Sequence, residues 1–219
     1  MAFHGFRDRR EAGRLLIPLL RDYAGRDDVV VLALPRGGIP VAYEIAVALG
    51  APLDVFTVRK LGVPGHEELA MGAIASGGIS GLDEGAVAAL GISPDEIIHV
   101  AEREREELAR RERLYRDHRE FPRLEGKNVI LVDDGVATGA SMFVAVKALR
   151  QQKPARIVVA VPVAAPDSCA LLRRHADEVI AYRTPEPFGG VGAWYDDFSQ
   201  VSDAEVRTLL SRAALQRAS

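Results

Sequence analysis

The chain has little of what marks several large protein classes. It holds one cysteine, Cys169, in 219 residues, so no intramolecular disulfide framework can staple it, and a reducing cytosol suits it. No apolar run approaches the roughly 18 residues that span a bilayer. The opening Met1-Ala2-Phe3-His4-Gly5-Phe6-Arg7 lacks a charged segment followed by an apolar one, so no signal peptide is expected and the location expected is cytoplasmic. Aromatic residues are 6% of the chain, and Trp194 is the single tryptophan. A strong positive charge is missing too: the net charge is −3, which argues against a polycation that coats nucleic acid. Also absent are the Gly-x-x-x-x-Gly-Lys-Ser/Thr phosphate loop, a Gly-x-Gly-x-x-Gly turn after a strand, Gly-x-Ser-x-Gly and His-Glu-x-x-His.

What is present fits a globular protein. Apolar residues are 48% and charged residues 27%, which excludes disorder, fibre or mucin-like stalk for the whole chain. At 23.7 kDa such a chain buries roughly 70% of its unfolded surface, and the length favours one domain over residues 1–219. Five segments are continuous, apolar and β-branched: Val29–Leu34, Leu53–Val58, Asn128–Asp133, Arg156–Val163 and Glu178–Tyr182. Continuous apolarity means burial on both faces, as in a parallel sheet covered by helices. Ile39–Leu49, Ala140–Leu149 and Pro166–His175 read as helices between them. The alternation predicts an open α/β sheet with a core over about residues 24–183. Phe6 to Tyr23 reads as a helix that caps it.

Two regions depart from the alternation. Residues 79–127 interrupt the core, and within them Pro94–Glu120 reads as a long charged helix. From Asp95 to Arg123 there are nine acidic and eight Arg residues. Glu106–Arg110, Glu107–Arg111 and Glu112–Arg116 are spaced four apart, as on a solvated helix. The tail, 184–219, opens with the irregular Pro185-Glu186-Pro187-Phe188-Gly189-Gly190 and passes through Trp194-Tyr195. Ser202-Asp203-Ala204-Glu205 then forms a capping box for a last helix.

The chemistry is concentrated in Val129-Ile130-Leu131-Val132-Asp133-Asp134-Gly135-Val136-Ala137-Thr138-Gly139-Ala140-Ser141. An apolar strand ends in two acids, and a glycine-containing loop then opens a helix. In open α/β sheets ligands bind beyond the carboxyl ends of strands. Free amides at such a turn suit a phosphate, and the Thr138 and Ser141 hydroxyls add two hydrogen bonds. The adjacent carboxylates would repel a phosphate; they suit vicinal hydroxyls or Mg²⁺. A ribose 5-phosphate unit meets both demands.

This stretch resembles the signature of the type I phosphoribosyltransferases, which bind phosphoribosyl pyrophosphate (PRPP). The resemblance implies that Asp133 and Asp134 hold the ribose hydroxyls. It also implies that Gly135, Val136, Ala137, Thr138, Gly139, Ala140 and Ser141 hold the 5-phosphate. Family members acting on 6-oxopurines often carry an Asp directly before the Thr; here that residue is Ala137, which weighs against a hypoxanthine–guanine acceptor. Pro35-Arg36-Gly37-Gly38 resembles the family's pyrophosphate loop, where a cis peptide is expected at Pro35–Arg36 or Arg36–Gly37. Arg36, Gly37, Arg59 and Lys60 would meet the pyrophosphate, with Asp133, Asp134, Arg36 and Lys60 as the catalytic set. The glycine-rich stretch Gly62–Gly78 resembles the mobile loop that closes the reaction centre. The tail resembles the hood that receives the acceptor, where Trp194, Tyr195 or Phe188 either stacks on a base or packs the tail. No protein-built metal site is expected; Mg²⁺ would arrive with PRPP and lie near Asp133 and Asp134. The implied activity transfers ribose 5-phosphate from PRPP to a nitrogenous base, and a homodimer is implied. The alternative is a PRPP- or nucleotide-sensing module that binds RNA or DNA.

Overall fold

The computed structural model describes residues 5–116 and 119–218; His4 and His118 lie outside them. The chain runs α1 (Arg9–Leu16), a 3₁₀ segment Ile17–Tyr23, β1 (Val29–Ala33), α2 (Gly38–Leu49), β2 (Leu53–Val55), β3 (Val58–Val63), β4 (His66–Ala75) and β5 (Ile79–Leu82). It continues with α3 (Glu84–Leu90), α4 (Pro94–Arg116), β6 (Asn128–Val132), α5 (Ala140–Gln151), β7 (Arg156–Val163), α6 (Pro166–Leu172), β8 (Glu178–Arg183) and α7 (Asp203–Ala218). The main sheet has the order β2-β1-β6-β7-β8, and all its pairs are parallel.

The apolar runs explain this sheet. In β1, Val29, Val31 and Ala33 face one core and Val30 and Leu32 the other; in β6, Ile130 and Val132 oppose Val129 and Leu131 in the same way. Successive side chains point to opposite faces, so a strand apolar at every position must be covered twice. One face is covered by α2, α7 and the N-terminal segment through Ile45, Leu49, Leu210, Leu16 and Leu20. The other is covered by α5 and α6 through Met142, Val146, Leu149, Cys169 and Leu172. Burying one such leucine contributes about 1.5–3 kcal/mol.

Strand order carries the functional consequence. After β1 the chain moves outward to β2, whereas β6, lying on the other side of β1, leads away through β7 to β8. The direction of winding reverses between β1 and β6, and ligands of open sheets bind in the crevice at such a point.

The hairpin region differs from expectation. The run read as one strand, Leu53–Val58, leaves the sheet after Val55. Phe56 still donates to the Ala33 carbonyl at 2.9 Å, but the Thr57 amide turns to Ser76 Oγ at 2.9 Å, and the chain re-enters an antiparallel sheet, β3-β4-β5. The glycine-rich stretch from Gly62 to Gly78 is thus largely a hairpin. A turn at Gly65, with φ 76°, joins β3 to β4, and Leu61, Val63, Met71 and Ile74 bury one face against Val100, Ala101 and Leu108 of α4.

The charged helix α4 is accordingly not a wholly solvated one. Glu104 and Arg116 are buried along with its apolar stripe. Arg116 donates to Asp54 Oδ1 at 3.0 Å, the Val55 carbonyl at 2.6 Å and Glu112 Oε1 at 2.6 Å. Glu107, on the exposed side, pairs with both Arg110 and Arg111, which holds its carboxyl down at about 2. Residues 117 and 118, inside the expected helix 94–120, lie outside the described residues. At the N-terminus the helix starts at Arg9 rather than Phe6, because Asp8 caps it by accepting from the Glu11 amide at 2.7 Å. Among the described residues no helix is long and apolar enough to cross a membrane.

Candidate active site

The crevice between the carboxyl ends of β1 and β6 is lined by Pro35-Arg36-Gly37 on one side and Asp133-Asp134 on the other. The Leu34 amide donates to the Val132 carbonyl at 2.9 Å, so the two loops leave the sheet side by side. They then press together: a Cβ on Gly37 would collide with the Asp134 carboxylate, and one on Gly38 would sit 2.8 Å from the Val132 carbonyl oxygen. Glycine is required here for close approach. The Pro35–Arg36 peptide is cis, at the first of the two places expected.

Both carboxylates are partly committed inside the protein. Asp133 Oδ1 accepts from the Asp134 amide at 2.8 Å. Asp134 Oδ2 accepts from Arg9 Nε at 2.8 Å, with the two side chains only 10% and 14% exposed. The Asp134 carbonyl accepts from the Tyr195 hydroxyl at 2.6 Å. Among the described residues Asp133 Oδ2 and Asp134 Oδ1 have no hydrogen-bond partner, and neither is sealed from solvent, since Thr57 Oγ1 is the one buried, unpaired side-chain polar atom there. Each acid therefore keeps one oxygen for a donor from outside. Burial, with the charge of Asp134 beside it, pushes the Asp133 carboxyl well above the ordinary range. Burial also raises Asp134, opposed by Arg9.

The loop after the acids is pinned to β7. The Val136 amide donates to the Val163 carbonyl at 2.9 Å, and Val136 accepts from the Ala165 amide at 2.9 Å. Ser168 Oγ donates to the Ala137 carbonyl at 2.6 Å. Gly139, at φ 77°, occupies the left-handed region and opens α5. The amides of Ala137, Thr138 and Gly139 make no hydrogen bond within the described residues. The first amides of α5 lack intrahelical partners, that of Ala140 reaching only Thr138 Oγ1 at 3.5 Å, and Ala137, Thr138, Ala140 and Ser141 are exposed. This is a nest of donors at a helix N-terminus, suited to an oxyanion.

The cations are arranged differently. Arg36 leaves the loop that lines the crevice, its side chain a third exposed with Nη1 3.8 Å from Asp203 Oδ1. That carboxylate also accepts from the Tyr115 hydroxyl at 2.6 Å. Burial, then the bond to Asp203, pushes Tyr115 up to about 12. Arg59 and Lys60 do not follow a main-sheet strand, as the run read as Leu53–Val58 would place them, but lie on β3. They line a cavity of ≈510 Å³ together with Ala140, Ser141 and Glu104. Arg59 is bound there to Glu104, Nε to Oε2 at 2.8 Å. The structure thus brings Arg36, Gly37, Asp133 and Asp134 into the crevice, runs Gly135–Ser141 from it, and joins Arg59 and Lys60 only to the α5 end of that loop.

The tail lies against the same loop. A Cβ on Gly135 would meet Val191 at 2.5 Å. The Trp194 indole donates to the Phe188 carbonyl at 2.8 Å, and both rings pack with Phe6 and Tyr195, so Trp194 serves to fix the tail. The residues that sequence reading missed are Arg9, Tyr195 as a partner of Asp134, and Phe198, whose ring lies under the Arg9 guanidinium with its centre 3.9 Å from Cζ. The local signal available was the Asp8-x-x-Glu11 cap, which sets Arg9 at the first position of a helix. Among the described residues no three of His, Cys, Asp or Glu gather into a metal site. A divalent ion in the crevice would face at most the two free carboxylate oxygens and take its other ligands from a substrate, which suits Mg²⁺.

The site is thus an acid pair beside an amide nest at the switch point of a parallel sheet. The phosphoribosyl transferase domain model matches residues 9–191, and the chain belongs to that family. A Mycobacterium tuberculosis protein provisionally named a phosphoribosyl transferase is 43% identical over 208 residues, covering 95% of this chain and 47% of that protein; its counterpart in a second strain matches equally. The chain spans about half the length of these curated relatives. The crystal structure of TT1426 from Thermus thermophilus matches with a TM-score of 0.85 at 45% identity, covering 95% of this chain and 98% of that one.

Proposed function

We propose that this protein is a Mg²⁺-dependent pentosyltransferase that moves ribose 5-phosphate from PRPP to a nitrogenous base and releases pyrophosphate. The observation that carries the reading is the pair of free oxygens on Asp133 and Asp134 beside the unbonded amides of Ala137 to Gly139. The diol of the ribose donates to the two carboxylates, and its 5-phosphate sits on the amides with Thr138 and Ser141. Binding the phosphate, remote from the bond that breaks, orients C1.

In the reaction the C1–O bond to pyrophosphate breaks and a C1–N bond to the base forms. The base loses its N–H proton, and pyrophosphate leaves with the bonding pair. Positive charge gathers on the ribose ring as the first bond lengthens, and the two carboxylates below the ring favour it. Arg36, across the crevice, meets the negative charge that grows on pyrophosphate; Lys60 and Arg59 approach from the cavity at the end of α5. Mg²⁺ arriving with PRPP would neutralise pyrophosphate oxygens near Asp133 and Asp134. Ala137 offers no proton acceptor, so the base proton leaves to water or to the departing pyrophosphate. The partners proposed are PRPP, a small base and a second copy of the chain, in the cytoplasm. The test is pyrophosphate release from PRPP and Mg²⁺ across a panel of purine and pyrimidine bases. Base-dependent release supports transfer and names the acceptor class. PRPP binding without release for any base would turn the reading toward a sensor.

A further inference from the structure

Asp134 is held at three points. Arg9 Nε meets its Oδ2 at 2.8 Å, the Tyr195 hydroxyl meets its carbonyl at 2.6 Å, and its amide is taken by Asp133 Oδ1 at 2.8 Å. The Arg9 guanidinium is itself fixed. One nitrogen donates to the Ser199 carbonyl at 2.8 Å, and the plane rests on the Phe198 ring with its centre 3.9 Å away. The residues that do this come from the two ends of the chain: Arg9 is 125 positions from Asp134, and Tyr195 to Ser199 follow β8. Phe6 ties the two ends together, its amide donating to the Trp194 carbonyl at 2.7 Å and its ring 5.2 Å from that of Tyr195.

We propose that Arg9, braced by Phe198 and Ser199, is a positioning residue that takes one oxygen of Asp134 and thereby aims the other at the ribose diol. The role rests on the function proposed above and deepens it: ribose recognition would depend on a clamp built from the chain ends, outside the sheet that carries the acids. The alternative use of the same pair is inhibitory, with Arg9 occupying the place of the ligand's hydroxyls. Geometry speaks against that use. The Arg9 side chain is only 10% exposed and held on two further sides, and it engages Oδ2 while Oδ1 stays without a partner among the described residues. A residue that leaves on ligand entry would not be stacked and hydrogen-bonded by two other groups.

The two uses predict opposite results, and calorimetry with two probes separates them. Ribose 5-phosphate reports the diol and the phosphate together, and inorganic phosphate reports the amide nest alone. Arg9→Ala is expected to weaken ribose 5-phosphate on the order of tenfold, the loss seen when the outer partner of a ligating group is removed, while phosphate affinity stays as in the wild type. Arg9→Lys, which keeps the charge without the planar fork, is expected to fall between the two. If Arg9→Ala does not fold, Phe198→Leu carries the test, since that ring is 38% exposed; the same selective loss, smaller in size, is expected. Unchanged or tighter ribose 5-phosphate binding would overturn the role, and so would equal loss of both probes. Failure of the wild type to bind either PRPP with Mg²⁺ or ribose 5-phosphate would overturn the function itself, a result distinguishable from failure of the clamp alone.

Discussion

The junction of β6 with α5 and the hairpin unit of β3, β4, β5 and α4 carry the two halves of the candidate chemistry in opposite ways. At the junction the polar groups are set by the sheet. Asp133 and Asp134 follow a strand buried at every position, and the amides after them are pinned through Val136 to β7. Each of these groups keeps capacity for a ligand. In the hairpin unit and around it the charged groups are set by one another: Arg59 by Glu104, Arg116 by Asp54 and Glu112, Arg36 by Asp203. The groups proposed to bind the part of the substrate that stays are preformed, whereas Arg36 and Arg59, proposed for the part that leaves, are engaged by acids of the protein.

The largest effect should come from breaking the buried pair that joins α4 to β2. Arg116→Ala leaves Asp54 beside the core without its guanidinium, and loss of one partner of such a pair costs about 3–5 kcal/mol. Denaturant unfolding should show that loss. A change below about 1 kcal/mol, the range of exposed ion pairs, would mean that the hairpin unit is not anchored this way.

On the other side of the comparison, Asp134→Asn should lower kcat/KM for PRPP about 10²–10³-fold, as removal of a preorganised transition-state contact does. Far-ultraviolet circular dichroism should be unchanged. Wild-type turnover in this variant would move the ribose elsewhere.

Legibility in the sequence follows the same division. The strands β1, β6 and β7 were readable because both faces are buried and, after the opening Asn128 of β6 and Arg156 of β7, every position is apolar. The acid pair and loop were readable because a sheet's switch point gathers its chemistry into one continuous segment, here Asp133 to Ser141. The hairpin was not readable. Its strands are buried on one face only, and the glycines at 62, 72, 77 and 78 mark turns and close approaches, such as Gly72 against the Gly81 carbonyl, rather than a loop. Arg9 was not readable as a site residue because its partner is remote in sequence. Leu53–Val58 was over-extended because Phe56 continues an apolar pattern into a different core contact, against Phe121.

Acidity sharpens the contrast further. Burial raises the Asp133 and Asp134 carboxyls in the folded protein, so their protonated form is favoured by folding. Their contribution to stability is present in acid and is lost as pH rises through the raised pKa of the pair. Binding runs the other way, because the diol needs ionised acceptors. Ribose 5-phosphate affinity, measured without Mg²⁺, should therefore begin to fall on acidification while the pH is still above the usual carboxylate range, by up to about tenfold per unit. Thermal stability should not fall in step with it. Parallel loss of both would contradict the assignment.

The smallest effect should come from the cavity cations. Glu104→Gln removes the charge that holds Arg59 and should change pyrophosphate affinity by no more than about fivefold, the range of a partly exposed ion pair, with ribose 5-phosphate unaffected. An equal change in both ligands would show that the two halves are not separate.

The most direct measurement is calorimetric titration of the wild type with PRPP and Mg²⁺, repeated in the presence of ribose 5-phosphate. The account predicts saturable binding that ribose 5-phosphate displaces by competition. Absence of binding, or binding that ribose 5-phosphate leaves untouched, would contradict the claim that Asp133, Asp134 and the loop after them form a ribose-phosphate cradle.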